Sequence, residues 1–252
     1  MKKLLLVSAL TLVASQAYAQ DYQAEIGLAY SDIDIDFGAF GSGSTNATLL
    51  YGTAYFSQVD TSKGPLAEAA FLDKASSIFA LYTSNDDAEN SKSLALRSVI
   101  SEKWIIEANY ADNGDNDEVG LGFGAYLTAD IDLVGTYTNG DGFDAFGANV
   151  HGVFSLQGDT AIAIDADVTN SSPDVGDSVT RFTFGGDYYF NSRFSLGATY
   201  ETTTGGVDIS GYGLNADWFV ADNINLFASY NTISFDDFLD IDTITLGAAI
   251  RF

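Results

Sequence analysis

Cysteine is absent from the 252 residues, which removes disulfide frameworks, thiolate metal sites and thiol nucleophiles. Proline occurs only at Pro65 and Pro173. Both stand outside the alternating runs described below, as expected where a missing N–H would delete a ladder hydrogen bond. Histidine occurs once, at His151, and no Gly-x-Ser-x-Gly elbow accompanies it, so nucleophilic catalysis finds no template here. No catalytic residue is assigned, and the chain is read as a non-enzyme. Lysine and arginine number 10 against 35 acidic residues, a formal charge of -25. That balance excludes nucleic acid and anionic lipid surfaces as electrostatic partners and makes cations the natural counterparts. Beyond the amino terminus no apolar run reaches the roughly 18 residues that a membrane-crossing helix needs.

What is present begins with a leader. Lys2 and Lys3 precede an apolar core, Leu4 to Ala14, and Ala17-Tyr18-Ala19 offers a small-x-small cleavage site. Residues 1–19 are therefore read as a signal peptide and 20–252 as one mature domain. Its removal takes two lysines with it, so -25 becomes -27.

The strongest pattern in the mature chain is an internal repeat. Trp104-x-Ile106-x-Ala108-x-Tyr110, Ile131-x-Leu133-x-Gly135-x-Tyr137, Phe194-x-Leu196-x-Ala198-x-Tyr200 and Ile224-x-Leu226-x-Ala228-x-Tyr230 set large apolar, small and tyrosine residues on one face, with polar residues between. Period two, with a greasy and a wet side and a tyrosine at one level, predicts membrane-crossing strands with an interfacial aromatic girdle. The expected fold is all-β: a transmembrane, antiparallel, up-and-down β-barrel of about 14 strands, with 12 or 16 remaining open. The strands alternate between tight turns, at 101–103, 157–159, 191–192 and 221–222, and longer outer loops at 32–46, 84–92, 112–117, 170–177 and 232–240. Both termini then fall in the periplasm. Residues 66–83 read as one long strand, although 66–77 also suits a helix or a plug, and either that stretch or the 32–46 loop could block the lumen.

The chain ends on Thr243-Ile-Thr-Leu-Gly-Ala-Ala-Ile-Arg-Phe252, a strand that is safe at a terminus only if closed against another. Gly247, Ile250 and Phe252 resemble the C-terminal assembly signal of bacterial outer-membrane barrels. Gly64-Pro65-Leu66-Ala67-Glu68-Ala69-Ala70-Phe71-Leu72 resembles a recurrent segment of the general bacterial porin family of Gram-negative bacteria. The resemblance implies a diffusion channel in the outer membrane, contacts with outer-membrane lipid and lipopolysaccharide, insertion by the barrel assembly machinery, and by analogy with many porins a homo-trimer.

Alternation assigns Glu25, Arg97, Glu107, Asn109, Asp132, Asn149, His151, Asp165, Asp167, Arg181, Asp187, Glu201, Asn215 and Asp217 to the inner, pore-lining face. So many charges require water, and charged walls select ions by sign. Seventeen acidic residues, among them Asp32, Asp34, Asp36, Asp86, Asp87, Asp112, Asp115, Asp117, Asp236, Asp237 and Asp240, fall in the expected loops. They would gather cations or bridge through divalent ions to lipopolysaccharide. Gly120-x-Gly122-x-Gly124 lies along a strand and is no phosphate loop, and 112–117 lacks the EF-hand spacing. No metal or cofactor is assigned. The expected function is passive diffusion of small hydrophilic solutes with a bias to cations; the alternative is a non-conducting barrel with a structural or adhesive role. Mass spectrometry of the membrane-inserted protein should find an amino terminus at Gln20. A retained Met1 would contradict the leader.

Overall fold

In the computed structural model, the residues described are 21–86, 88–114, 116–206, 208–235 and 239–252. The expected leader, and Asp87, Asp115, Asp236 and Asp237 of the acidic loops, lie outside them. No helix among the described residues is long and apolar enough to cross a membrane.

Fourteen strands close into a barrel in which each pairs with its neighbours in sequence. They are β1 (Tyr22–Asp36), β2 (Ser42–Val59), β3 (Ser77–Asn85), β4 (Ser91–Ile100), β5 (Trp104–Asp112), β6 (Asp117–Tyr126) and β7 (Ile131–Gly140). The second half holds β8 (Phe143–Ser155), β9 (Ala161–Pro173), β10 (Val179–Asn191), β11 (Phe194–Thr204), β12 (Ile209–Ala221), β13 (Ile224–Phe235) and β14 (Leu239–Arg251). Closure joins the two ends of the chain: β1 and β14 pair antiparallel from Glu25 opposite Arg251 to Asp36 opposite Asp240. Phe252 extends the ladder, donating its N–H to the Ala24 carbonyl at 2.9 Å and accepting from the Gln23 and Ala24 amides at 2.8 Å. No sheet edge is left for another chain to pair with.

The outer face follows the repeat. Leu133, Leu196 and Leu226 are 38%, 46% and 40% exposed, whereas Asp132 and Ser195, one position away, are each 1% exposed. Trp104, Ile106, Leu121, Phe123, Ile164, Phe184 and Leu214 also stand outward. This is an inverted protein, apolar where it meets lipid and polar within. Tyr30, Tyr82, Tyr110, Tyr137 and Tyr200 are exposed on the same side and form the expected tyrosine row. The Tyr137 hydroxyl donates to Asp144 at 2.6 Å and the Tyr230 hydroxyl to Asp242 at 2.7 Å.

Two features depart from the expected layout. The outer connections are shorter than alternation suggests, because β1 continues to Asp36 and β2 begins at Ser42. Asp32, Asp34, Asp36, Asp112, Asp117 and Asp240 therefore ride on strands rather than in loops. The longest connection lies instead at the rim that carries both termini, between Val59 and Ser77. Residues 66–76 are not strand. Thr61–Lys63 and Leu66–Glu68 form single 3-10 turns, and Ala69–Leu72 forms a short helix, α1. Pro65 opens this stretch at φ -58°, a value already suited to a helix start. Leu66-Ala-Glu-Ala-Ala-Phe-Leu72 supplies strong helix formers with no β-branched residue.

A charge on the outer face should be resisted far more than one on the inner face. Leu121→Arg is expected to destabilise the barrel by about 2–4 kcal/mol, and Thr138→Arg, on the inner row of β7, by less than about 1 kcal/mol. Equilibrium unfolding in phospholipid vesicles measures both, and equal costs would contradict the two-sided wall.

Candidate functional site

The site is the interior, and its lower end is crossed by residues 60–76. Asp60 starts the crossing: its carboxylate accepts from the Ser62 amide at 2.9 Å and the Ser62 hydroxyl at 2.6 Å, and these bonds hold the carboxyl below its usual range. Asp73 closes the loop on itself, pairing with Lys63 and accepting the Asp60 amide at 3.1 Å. Ala69 and Ala75 pack with Tyr22 and Val59, while Phe71 and Leu72 pack against Val153, Ala161, Ala163 and Tyr189. Phe71 also joins Ile105, Tyr126 and Val134 on the far wall. The segment thus touches strands right around the barrel, and its apolar residues are satisfied by the lower inner wall instead of by lipid.

Polar contacts fix it in place. Leu66 donates its amide to the Ser192 carbonyl at 2.8 Å, and its carbonyl accepts from the Arg251 guanidinium at 2.7 Å. The Tyr126 hydroxyl donates to the Phe71 carbonyl at 2.9 Å, and the Val99 amide donates to the Ser76 hydroxyl at 2.8 Å. Glu68 is the centre of the attachment. One carboxylate oxygen accepts from the Tyr189 hydroxyl at 2.7 Å, and the other lies 3.0 Å from Nε2 of His151. His151 Nδ1 is 2.7 Å from Asp165, and its ring stands edge-on to Phe71 with centroids 4.3 Å apart. An imidazole facing an acceptor at each nitrogen satisfies both only as the imidazolium, so His151 is a cation between two carboxylates. Beside the segment, at the mouth that carries the termini, Lys63, Lys74, Glu102 and Asp130 border a recess of about 470 Å³.

The alternation candidates sort into three groups. Glu25 pairs with Arg251 at 2.5 Å, and that guanidinium lies 4.5 Å from the ring centres of both Tyr22 and Phe219. Arg97 pairs with both Glu107 and Asp132; with His151 and Asp165 these make up an ion-paired lower wall in which carboxylates outnumber cations. Along β9 to β12, from Asp187 and Asp217 beside that lower wall up to Asp167 and Glu201, four carboxylates have no cationic partner among the described residues. Asp167 accepts from the Thr169 hydroxyl at 3.1 Å, Asp187 from the Asn215 amide at 2.7 Å, and Asp217 from the Asn225 amide at 3.0 Å. Glu201 borders a recess of about 140 Å³ with Thr183, Thr199 and Asn231. Arg181, on β10, makes no ion pair among the described residues, and Asn109 and Asn149 sit on the same inner rows as Glu107 and His151.

Sequence reasoning missed Glu68, Phe71, Arg251, Tyr126 and Tyr189. Arg251 did carry a signal, since it shares the polar face of β14 with Thr243 and Thr245. Of the assembly residues, Gly247 lies beneath the Phe227 ring, Ile250 is buried, and Phe252 completes closure. Among the described residues no group of three or more His, Cys, Asp or Glu side chains is arranged so that it could hold a metal ion.

A family model described as "Putative general bacterial porin" matches residues 1–153 and 134–252. Among solved structures the barrel is similar to the Acinetobacter baumannii outer membrane protein Omp33, with a TM-score of 0.75 and 24% identity, covering 92% of this chain and 99% of that one. Pseudomonas aeruginosa OpdQ aligns at a TM-score of 0.48 and 10% identity over 91% of this chain and 97% of that one. A KdgM porin aligns at 0.49 and 9% over 90% and 99%. Curated protein sequences give no match. The likeness to Omp33 is one of fold.

If Glu68 holds the crossing segment, Glu68→Ala should free it locally. Losing a hydrogen bond to a charged group costs about 1.5–3 kcal/mol, so amide exchange over 66–72 should quicken roughly ten- to hundredfold. Hydrogen-exchange mass spectrometry on the folded barrel measures this, and unchanged protection would remove Glu68 from that role.

Proposed function

The chain belongs to the general bacterial porin family, channels of the Gram-negative outer membrane, and from that premise we propose that it passes small hydrophilic solutes by passive diffusion with a bias to cations. The observation that carries the reading is the inner wall of β9 to β12, where Asp167, Asp187, Glu201 and Asp217 face the interior without cationic partners among the described residues. Unpaired carboxylates in a confined aqueous space raise the local concentration of cations and depress that of anions. The ion-paired groups add to that bias, since Arg97, Arg251 and His151 are three cations set among five carboxylates, Glu25, Glu68, Glu107, Asp132 and Asp165.

The termini and the crossing segment are read as periplasmic, and β14 as the strand that the assembly machinery recognises. Passage then depends on displacement of residues 60–76, because their contacts reach from β1 and β14 to β4, β5 and β8. The same observation favours a second reading, a barrel that does not conduct while the segment is seated.

Planar bilayers with purified protein separate the two. A tenfold potassium chloride gradient should give a reversal potential of cation-selective sign. Neutralising Asp167, Asp187, Asp217 and Glu201 together to amides should bring it close to zero. Replacing residues 61–75 by a short glycine-serine turn should raise conductance severalfold. Chloride preference in the native protein would overturn the bias, and absence of conductance in both forms would favour the non-conducting reading.

A further inference from the structure

Three aromatic side chains stand on the inner face, where alternation leads one to expect polar residues. Leu50, Ile78 and Leu226 point outward, so Tyr51, Phe79 and Phe227, one position on, point inward. The Tyr51 ring centre lies 6.2 Å from that of Phe79 and 6.5 Å from that of Phe227, so the rings reach toward one another across β1 and β14. Gly27 is the cross-strand partner of Tyr51 and Gly247 that of Phe227. A Cβ at either glycine would collide with the facing ring. Each ring therefore lies along the wall over bare backbone rather than rising into the lumen. Together the rings pave this side of the barrel, further from the termini than the Arg251 cluster.

Asp217 adjoins this pavement as the cross-strand partner of Phe227. Its carboxylate takes one hydrogen bond from Asn225, has no ion-pair partner among the described residues, and lies close enough to act electrostatically on Tyr51. The neighbouring carboxylate, Glu25, is committed to Arg251. The corner thus offers aromatic surface and one uncommitted negative charge side by side on paired strands.

We propose that the Tyr51–Phe227–Asp217 corner is a binding site for organic ammonium ions that carry an aryl or alkyl group, and that it ranks such solutes above inorganic cations. The proposal rests on the lumen being the aqueous path described above and names the solute class of that path. An aromatic face attracts a cation placed within about 6 Å. Potassium must shed tightly held water to approach a ring, while an alkylammonium already presents polarised C–H groups to the ring and keeps its N–H donors for Asp217. A neutral aromatic gains only the apolar half of the contact, and an anion is repelled by the carboxylates.

Titration calorimetry on the full-length mature barrel in detergent, with 2-phenylethylammonium as probe, tests this without requiring conduction. Saturable binding is expected, weakened at least fivefold in Asp217→Asn and in Phe227→Leu. The turn variant Asp159→Asn should bind as the native chain does, and 2-phenylethanol and potassium should not compete at equal concentration. Heat-dependent gel migration confirms that each variant remains a folded barrel. Equal binding of 2-phenylethanol, or unchanged affinity in Asp217→Asn, would overturn the site. Binding in a barrel that never conducts would overturn the diffusion reading and leave the site standing. Cation-selective conduction without saturable binding would do the reverse.

Discussion

A bilayer offers backbone amides and carbonyls no water, and that constraint decides the architecture. Each unpaired group in the hydrocarbon would cost several kcal/mol, so the described residues, which hold no helix long and apolar enough to cross, can cross only as a sheet that returns to its own beginning. The contact of β1 with β14 is where this is met. Phe252 joins the ladder through its bonds to Gln23 and Ala24. Once the sheet is closed, every strand has one face on lipid and one on the interior. The residues of the repeat then have no freedom over which way they point.

The interior has the opposite problem. A ring of fourteen strands encloses more space than its inward side chains fill, and those side chains include many charges. The lower half resolves this with protein: residues 60–76 bring Ala69 against Tyr22 and Val59, Leu72 against Val153 and Ala163, and Phe71 against these and Ile105, and Glu68 meets the charge of His151. Asp167 and Glu201 stand higher on β9 and β11, beyond the residues that the segment touches. One wall therefore combines a packed, ion-paired end with an acidic inner surface on β9 to β12 that begins beside the crossing segment at Asp187 and Asp217 and rises to Glu201. An attachment built on hydrogen bonds and ion pairs, with a modest apolar contact, is one that a few substitutions can loosen without opening the barrel itself.

Legibility in the sequence followed the same physics. Trp104 to Tyr110 and its three counterparts declared their orientation because lipid tolerates no ambiguity about which face is apolar. Asp32 to Asp36 were read as loop because strands that rise beyond the bilayer are wet on both faces, so hydrophobic alternation stops before the hydrogen bonding does. Residues 66–72 suit strand and helix alike in the sequence, because a short run of Leu, Ala and Phe fits either period. Glu68 gave no sign of its role, since His151 and Tyr189 are 83 and 121 residues away in the chain. Tyr51 and Phe227 were missed for a simpler reason: an aromatic residue on an inner row contradicts the rule that identified the row.

The absence of cysteine makes the central claim directly measurable. Single cysteines placed at Leu133, Leu196, Leu226, Asp167, Glu201 and Thr138 can be challenged, in vesicle-embedded protein, with a charged, membrane-impermeant thiol reagent. Rapid labelling at the last three positions and protection at the first three is the predicted result. Labelling at Leu133, Leu196 and Leu226 as fast as at Asp167 and Glu201 would contradict a wall with lipid on one side and water on the other.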